Sequence, residues 1–312
     1  MNPLRVGIWG CGSIASRHAE AIAAIPDEMR LAACASRDAA SAQAFAIKFG
    51  ATAYRDFDSL LRSAELELLI IAIPPFAHNG EVEKAAALGI HLLVEKPIAL
   101  TLERATSMVN AAAEAKIVAA CGFMYRFGDA VLRWDRAAAA GETGRVGMFI
   151  GQFHSNALHS AWWREQGRSG GQMVEQLIHI VDLARHQLGM PQSVYARASN
   201  FFHAGVERYD SDDASALILG FEDGRIGVLN ATNGAVPGKW DKHWQLVAER
   251  MTARFTGWNS GVFTHTGAEP RIEHIDTQTD VFIAQLRDVS GAIRERRAPR
   301  VPLTDGEQSL RI

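Results

Sequence analysis

Arg5-Val6-Gly7-Ile8-Trp9-Gly10-Cys11-Gly12-Ser13-Ile14-Ala15 reads as a short apolar strand that breaks into glycines and resumes as a helix. Val6 to Trp9 is the strand, and helical spacing resumes through His18, Ile22 and Ile25. The break spells G-x-G-x-x-A, with Gly10, Gly12 and Ala15 at the motif positions. Gly10 suits the tight turn, Gly12 lets the backbone approach a pyrophosphate, and Ala15 lets the helix pack close on the strand. Behind them, Ser13 and Ile14 open the helix, whose free N–H groups and positive dipole end suit phosphate. Such a turn can exist without a ligand, but a strand before it and a helix after it favour a dinucleotide cradle.

Working outward, Met29 to Ala35 reads as a second buried strand ending at Ser36-Arg37-Asp38. An acidic residue gripping a ribose 2′-OH belongs at about this distance, roughly 20 residues past the loop. Here the strand tip carries Ser36 and Arg37, which suit a 2′-phosphate and favour NADP over NAD, unless Arg37 is only a solvated surface residue. Asp38 is expected to cap the helix Ala39 to Phe49, closed by Gly50.

The alternation continues. A strand at Thr52 to Tyr54, a helix around Phe57 to Leu61 and an apolar strand at Leu66 to Ile73 follow, the last stopped by Pro74-Pro75. A helix from Asn79 to Leu88, a strand at Ile90 to Val94, a helix opening at Thr101 and a strand at Ile117 to Cys121 complete it. This pattern predicts an α/β Rossmann domain over residues 1–122, a doubly wound parallel sheet with its ligand beyond the strand C-termini. Ile73, Pro74 and His78 fall at one such end, and Glu95-Lys96-Pro97 at another, so these residues join the candidate cofactor contacts.

From residue 123 the pattern changes to an α+β domain over 123–312, assigned to substrate binding and oligomerisation. Val146 to Phe153, Val194 to Phe202, Ala214 to Phe221, Ile226 to Asn230, Trp244 to Glu249 and Thr252 to Trp258 read as strands without helices between most of them. Asp223-Gly224 is a hairpin signal. A large, mostly antiparallel sheet is expected, one face on helices and the other free to form an interface. The prominent helix is Gly171 to Leu188, on which Glu175, His179 and Asp182, at i, i+4 and i+7, share a face. His179 is a candidate acid–base group, or a half-buried histidine held by Glu175. A metal pair of Glu175 and His179 is disfavoured: there is no H-E-x-x-H, although His154 and His159 lie upstream. Trp162, Trp163 and Arg164 suit a sugar or polyol pocket, as well as core and rim packing, and Tyr125 and Arg126 are assigned to the same pocket.

Composition bounds the function. The 312 residues are 48% hydrophobic and 21% charged, ordinary for a soluble globular protein of one or two domains. A net charge of −3 gives no electrostatic reason to expect nucleic acid or a membrane surface. The longest apolar runs, such as Leu68 to Phe76, are too short to span a bilayer, and no basic-then-apolar leader precedes the first strand. A cytoplasmic protein is expected. Cys11, Cys34 and Cys121, odd in number and widely spaced, fit buried reduced thiols.

Gly10-Cys11-Gly12-Ser13-Ile14-Ala15, Pro74-Pro75-x-x-His78, Glu95-Lys96-Pro97 and Gly170-Gly171-x-x-x-Glu175-x-x-x-His179-x-x-Asp182 occur in that order. Over nearly its whole length the chain thereby resembles the glucose–fructose oxidoreductase / inositol dehydrogenase / rhizopine catabolism (Gfo/Idh/MocA) family. The resemblance implies that Lys96 and His179 flank the nicotinamide and the reacting carbon. It places Glu175 where members usually carry Asp, and Ile73 where they often carry Thr or Ser. Many members run on beyond the point where Arg311-Ile312 reads as the opening of a terminal helix. Relatives associate through the open sheet face, which implies a homodimer or homotetramer. The implied activity is NAD(P)-dependent oxidoreduction of a sugar, cyclitol or related secondary alcohol. A hydrolase or lyase of the same fold, and a non-catalytic metabolite sensor, are the competing readings.

Overall fold

The computed structural model describes residues 2–156, 160–267 and 269–312. It divides into two compact units, residues up to Met124 with Asp280–Glu307, and Tyr125–Thr279 with Gln308–Ile312.

The first unit runs β1 (Leu4–Trp9), α1 (Ser13–Ala23), β2 (Met29–Ala35), α2 (Ala39–Phe49), β3 (Thr52–Tyr54), α3 (Phe57–Ser63), β4 (Leu68–Ile71), α4 (Glu81–Ala87), β5 (His91–Val94), α5 (Leu102–Glu114) and β6 (Ala119–Cys121). The strands pair in parallel in the order β3-β2-β1-β4-β5-β6. The strand order therefore reverses between β1 and β4, the point where doubly wound sheets open a ligand crevice. Leu68, Leu69, Ile70 and Ile71 are fully buried, as are Leu92, Leu93 and Val94, because helices cover both faces of a parallel sheet. Asp38 caps α2, Asp56 forms a capping box on α3, and Thr101 caps α5. β4 is shorter than the apolar run, since the chain must leave the sheet before Pro74 and enter a single 3-10 turn at Pro75–Ala77. α4 starts at Glu81, two residues later than expected, because Gly80 precedes it with a left-handed φ of 91°.

The second unit runs α6 (Asp129–Ala139), β7 (Val146–Ser155), α7 (Gln166–Ser169), one π-helical turn (Met173–Leu177) and α8 (Ile178–Leu188). Then come β8 (Ser193–Ser199), β9 (Ala214–Gly220), β10 (Ile226–Thr232), β11 (Trp240–Ala248), β12 (Met251–Gly257), β13 (Ser260–His265) and β14 (Arg271–Asp276). The sheet order is β14-β13-β12-β11-β7-β10-β9-β8, antiparallel except for the β7–β10 pair. The expected hairpin joins β9 and β10, with Gly224 at φ 87°. Phe149, Phe153, Leu217, Leu219, Leu229, Trp244, Leu246 and Phe255 are buried on one face, which α6 and α8 cover. On the other face Ile150, Ile218 and Ile226 are 37%, 50% and 43% exposed. β13 and β14 extend the sheet beyond the strands expected from sequence.

α9 (Val281–Glu295) and α10 (Leu303–Arg311) follow, so Arg311 ends a helix where the sequence reading had it opening one. α9 belongs with the first unit, where a break after residue 122 had assigned it to the second. It buries Val281, Phe282, Leu286, Val289 and Ala292, packs against α1, and donates from Gln285 Nε2 to the Cys121 carbonyl at 3.1 Å. No described helix is long and apolar enough to cross a membrane.

Candidate functional site

In the first unit, Gly10 stands at φ 96°, and a Cβ there would lie 2.4 Å from the Ala72 carbonyl oxygen. Only glycine fits the turn where β1 meets the β4 loop. Gly12 is the N-cap of α1, receives no side-chain cap, and faces open space. The first N–H groups of α1 are thus left for a ligand, with Ser13 and Ile14 as its first two residues. Gly10, Gly12, Ser36, Arg37, Ile73 and Pro74 line one cavity of about 250 Å³ at the switch point. These residues fit a dinucleotide: a turn that excludes side chains, an open helix N-terminus, and a cation at the tip of β2. The Arg37 guanidinium lies 5.9 Å from the centre of the Phe76 ring. Asp38 is turned away to its helix, accepting from the Ala40 and Ser41 N–H groups at 3.2 Å. The Ser41 hydroxyl first, and then those two N–H groups, hold its carboxyl below the usual carboxylate range.

His78 and Glu95 are each held by a buried side-chain partner. His78 Nδ1 pairs with the Glu81 carboxylate, and its side chain is 1% exposed. Glu95 is buried, its Oε1 2.7 Å from His18 Nε2, and its Oε2 accepts the Lys96 backbone N–H at 3.2 Å. A Cβ on Gly122 would come within 2.7 Å of Glu95 Oε2, so the carboxylate is clamped from two sides. Lys96 follows the end of β5 and is joined to Pro97 by a cis peptide. His18 was legible in the sequence only as one position on the apolar side of a helix.

In the second unit, Gly171 at φ 90° has no room for a Cβ, which would fall 2.0 Å from Asp212 Oδ1. Asp212 accepts the Gln172 N–H at 2.8 Å, and burial raises its pKa despite that bond. Glu175 lies inside the π-helical turn that runs directly into α8, which carries His179. A π-turn is rare, and such turns concentrate at functional sites. The His179 and Tyr125 rings stack, centroids 4.4 Å apart and 6° from parallel. Burial, and next the charge of Glu175, push the Tyr125 hydroxyl well above the usual tyrosine range.

Arg126 is buried, and its fork is taken by Asp182: Nε donates to Oδ2 at 2.7 Å and Nη2 donates to Oδ1. Ser309 Oγ also donates to Asp182, at 3.2 Å. Arg126 and Asp182 thus form a buried, hydrogen-bonded charge pair. Trp162 and Trp163 meet edge to face at 5.7 Å, and Trp163 lies 6.2 Å from Trp240. The Arg164 carbonyl accepts from the Asp210 and Ser211 N–H groups at 3.0 and 3.1 Å. His154 pairs with Asn230 Oδ1 at 2.6 Å, and His159 lies outside the described residues. Among the described residues no group of three metal-ligating side chains comes together. Lys242 of β11 was not read as a site residue: its Nζ lies 4.8 Å from the Trp258 ring centre and 5.7 Å from that of Tyr125.

Two family models match the chain, the "Oxidoreductase family, NAD-binding Rossmann fold" of GFO_IDH_MocA over residues 4–123 and the "GFO/IDH/MocA C-terminal domain" over 131–254. The chain is 28% identical over 236 residues to inositol 2-dehydrogenase of Rhizobium meliloti, covering 75% of this chain and 70% of that protein. It is 27% identical over 202 residues to 2,7-anhydro-N-acetylneuraminate hydratase of Mediterraneibacter gnavus, covering 62% and 51%. The matches thus span from about half to seven tenths of these relatives' own length. A solved levoglucosan dehydrogenase, in complex with NADH and L-sorbose, matches with a TM-score of 0.92 at 22% identity, covering 99% of this chain and 94% of that one. That likeness speaks for the fold. With both domain models matched in chain order, the protein is an oxidoreductase of the GFO/IDH/MocA family, built on its NAD-binding Rossmann fold.

Proposed function

We propose that the protein transfers hydride between a nicotinamide cofactor and a sugar, cyclitol or related secondary alcohol. The observation that carries the reading is the cradle at the switch point, where Gly10 excludes side chains and α1 leaves its N-terminal N–H groups to an anion. The bound nicotinamide supplies the hydride acceptor or donor. The chain's own residues then have two tasks. A proton must leave or reach the substrate hydroxyl, which suits the His179 imidazole, held by its stack on Tyr125. Alkoxide character must be stabilised, which suits the Lys96 ammonium, while Glu175 orients and supports His179. A screen of sugars and polyols with NAD and NADP, followed by nicotinamide absorbance, tests the reading. No turnover with any of them would overturn it.

The relative that is a hydratase favours a second reading, in which oxidation is transient and the nicotinamide returns to its starting state. Product formation with no net change in NAD(P)H separates it from the first, and ligand binding without any product marks a sensor. Free thiols at Cys11, Cys34 and Cys121 accord with a cytoplasmic setting.

The proposed cofactor preference is NADP, although the solved levoglucosan dehydrogenase is in complex with NADH. It rests on this chain's own β2 tip: Ser36 and Arg37 line the cavity, and Asp38 is engaged in its cap. A charge-assisted bond from Arg37 to the 2′-phosphate is worth about 1.5–3 kcal/mol, roughly 10- to 100-fold in affinity. Arg37→Ala is expected to weaken NADP by that factor and leave NAD nearly unchanged, by fluorescence titration. Equal losses for both cofactors would remove Arg37 from the 2′-position.

Assembly as a homodimer or homotetramer is proposed from the uncovered sheet face with Ile150, Ile218 and Ile226. Light scattering is expected to give two or four times the 34.0 kDa of the chain, and Ile150→Glu on the central strand β7 to lower it. A monomeric mass at micromolar concentration would end this proposal.

A further inference from the structure

β11 presents Trp240, Lys242 and Trp244 in succession on its helix-covered face, while Asp241 and His243 point the other way and pair with each other at 2.7 Å. Trp240 meets the Phe153 and Trp163 rings, and Trp244 stacks on Phe255 at 5.0 Å. Lys242 between them reaches over Trp258 and Tyr125, and the Tyr125 ring is the one stacked on His179. Among the described residues, the Lys242 ammonium has no carboxylate and no hydrogen-bond acceptor as partner, and it lies over these two ring faces. Burial alone moves its pKa, downward, so no neighbouring anion offsets the desolvation of the ammonium.

We propose that Lys242 anchors a negatively charged substituent, a carboxylate or a phosphate, on the sugar that occupies the site of Tyr125 and His179. The proposal rests on the dehydrogenase reading for the word "sugar", and on the geometry of β11 for the anion. A sugar hydroxyl would return one hydrogen bond to the ammonium but leave its charge uncompensated, whereas an anion supplies both. The surrounding rings suit the apolar C–H faces of a pyranose, and Trp240 remains 42% exposed to receive one. Lys242 would thus decide between charged and neutral substrates, and the chemistry would stay with other groups.

The test compares D-glucuronate, D-glucose 6-phosphate and D-glucose with the full chain, its Lys242→Met variant and its Lys242→Arg variant. In the original protein, kcat/KM for one of the two anionic sugars is expected to exceed that for glucose by about 10-fold or more. The favoured anion identifies the substituent. Lys242→Met should bring that ratio close to one, and Lys242→Arg should restore most of it. A ratio near one in the original protein, or a ratio that Lys242→Met leaves intact, would overturn the proposal. Tryptophan fluorescence titration with the same three sugars reads binding without turnover. Tight, Lys242-dependent binding of an anionic sugar that yields no reduced nicotinamide would keep the anion site, and the dehydrogenase reading would then fall only if the wider screen of sugars and polyols also gave no turnover. Failure of both anions to bind would sink the anion site, whatever the turnover.

Discussion

Lys96→Ala is expected to lower kcat by about 10²-fold or more while nucleotide still binds, and His179→Ala to do the same. Lys96 follows β5 and a carboxylate clamp that fixes its backbone: Glu95 Oε2 accepts the Lys96 N–H at 3.2 Å, and Glu95 Oε1 is held by His18. A lysine on so constrained a turn is placed for electrostatic work, and removing it leaves the turn intact. His179 is 5% exposed and lies flat on Tyr125 at 4.4 Å, so its ring orientation is set by packing before substrate arrives. Because alanine would also open a void beneath Tyr125, His179→Gln is the companion variant, filling the space without the imidazole. The measurement is kcat under saturating substrate alongside the nucleotide dissociation constant. Turnover within a few-fold of the original protein in Lys96→Ala, or in His179→Gln, would take that residue out of the chemistry. Weakened nucleotide binding with unchanged kcat would make Lys96 a cofactor contact instead.

The Rossmann half was legible because its physics is local. A parallel strand buried on both faces reads as an unbroken apolar run, as Leu68 to Ile71 does, and Pro74-Pro75 marks where that run stops. The Asp38 cap and the Gly10 turn are likewise written within a few residues of where they act. What escaped is longer in range or lacks a side-chain signature. The π-turn at Met173–Leu177 sits where the apolar spacing reads as the start of an ordinary α-helix, and such turns are rare. β14 alternates only weakly and is largely exposed, so Arg271 to Asp276 lacks the apolar period of a buried strand. The pairing of Arg126 with Asp182, 56 positions away, is one such contact that no local pattern announces. α9 showed which of its faces is apolar but not which sheet that face would meet. Lys242 was one polar residue in an alternating strand, and only the rings of Tyr125 and Trp258 around it give it meaning.

His18→Ala is expected to cost about 1–3 kcal/mol of stability, the range for leaving a buried hydrogen-bonding group without its partner. His18 is fully buried on α1, Glu95 is 5% exposed after β5, and Nε2 to Oε1 is 2.7 Å. Phe282 of α9 closes the site with its ring edge-on to His18 at 5.2 Å, so water has no ready way in to replace the imidazole. Glu95 cannot swing aside, because Gly122 already lies against its carboxylate. His18→Gln keeps an N–H donor on a side chain of similar reach and should recover much of the loss. Glu95→Gln should be milder than His18→Ala, since the amide still offers the imidazole a hydrogen-bond partner. Urea unfolding with the unfolding slope compared across the three variants measures this. A loss under about 1 kcal/mol in His18→Ala, with an unchanged slope, would mean that local relaxation solvates Glu95 and that the pair contributes little to holding α1 against the Glu-Lys-Pro turn.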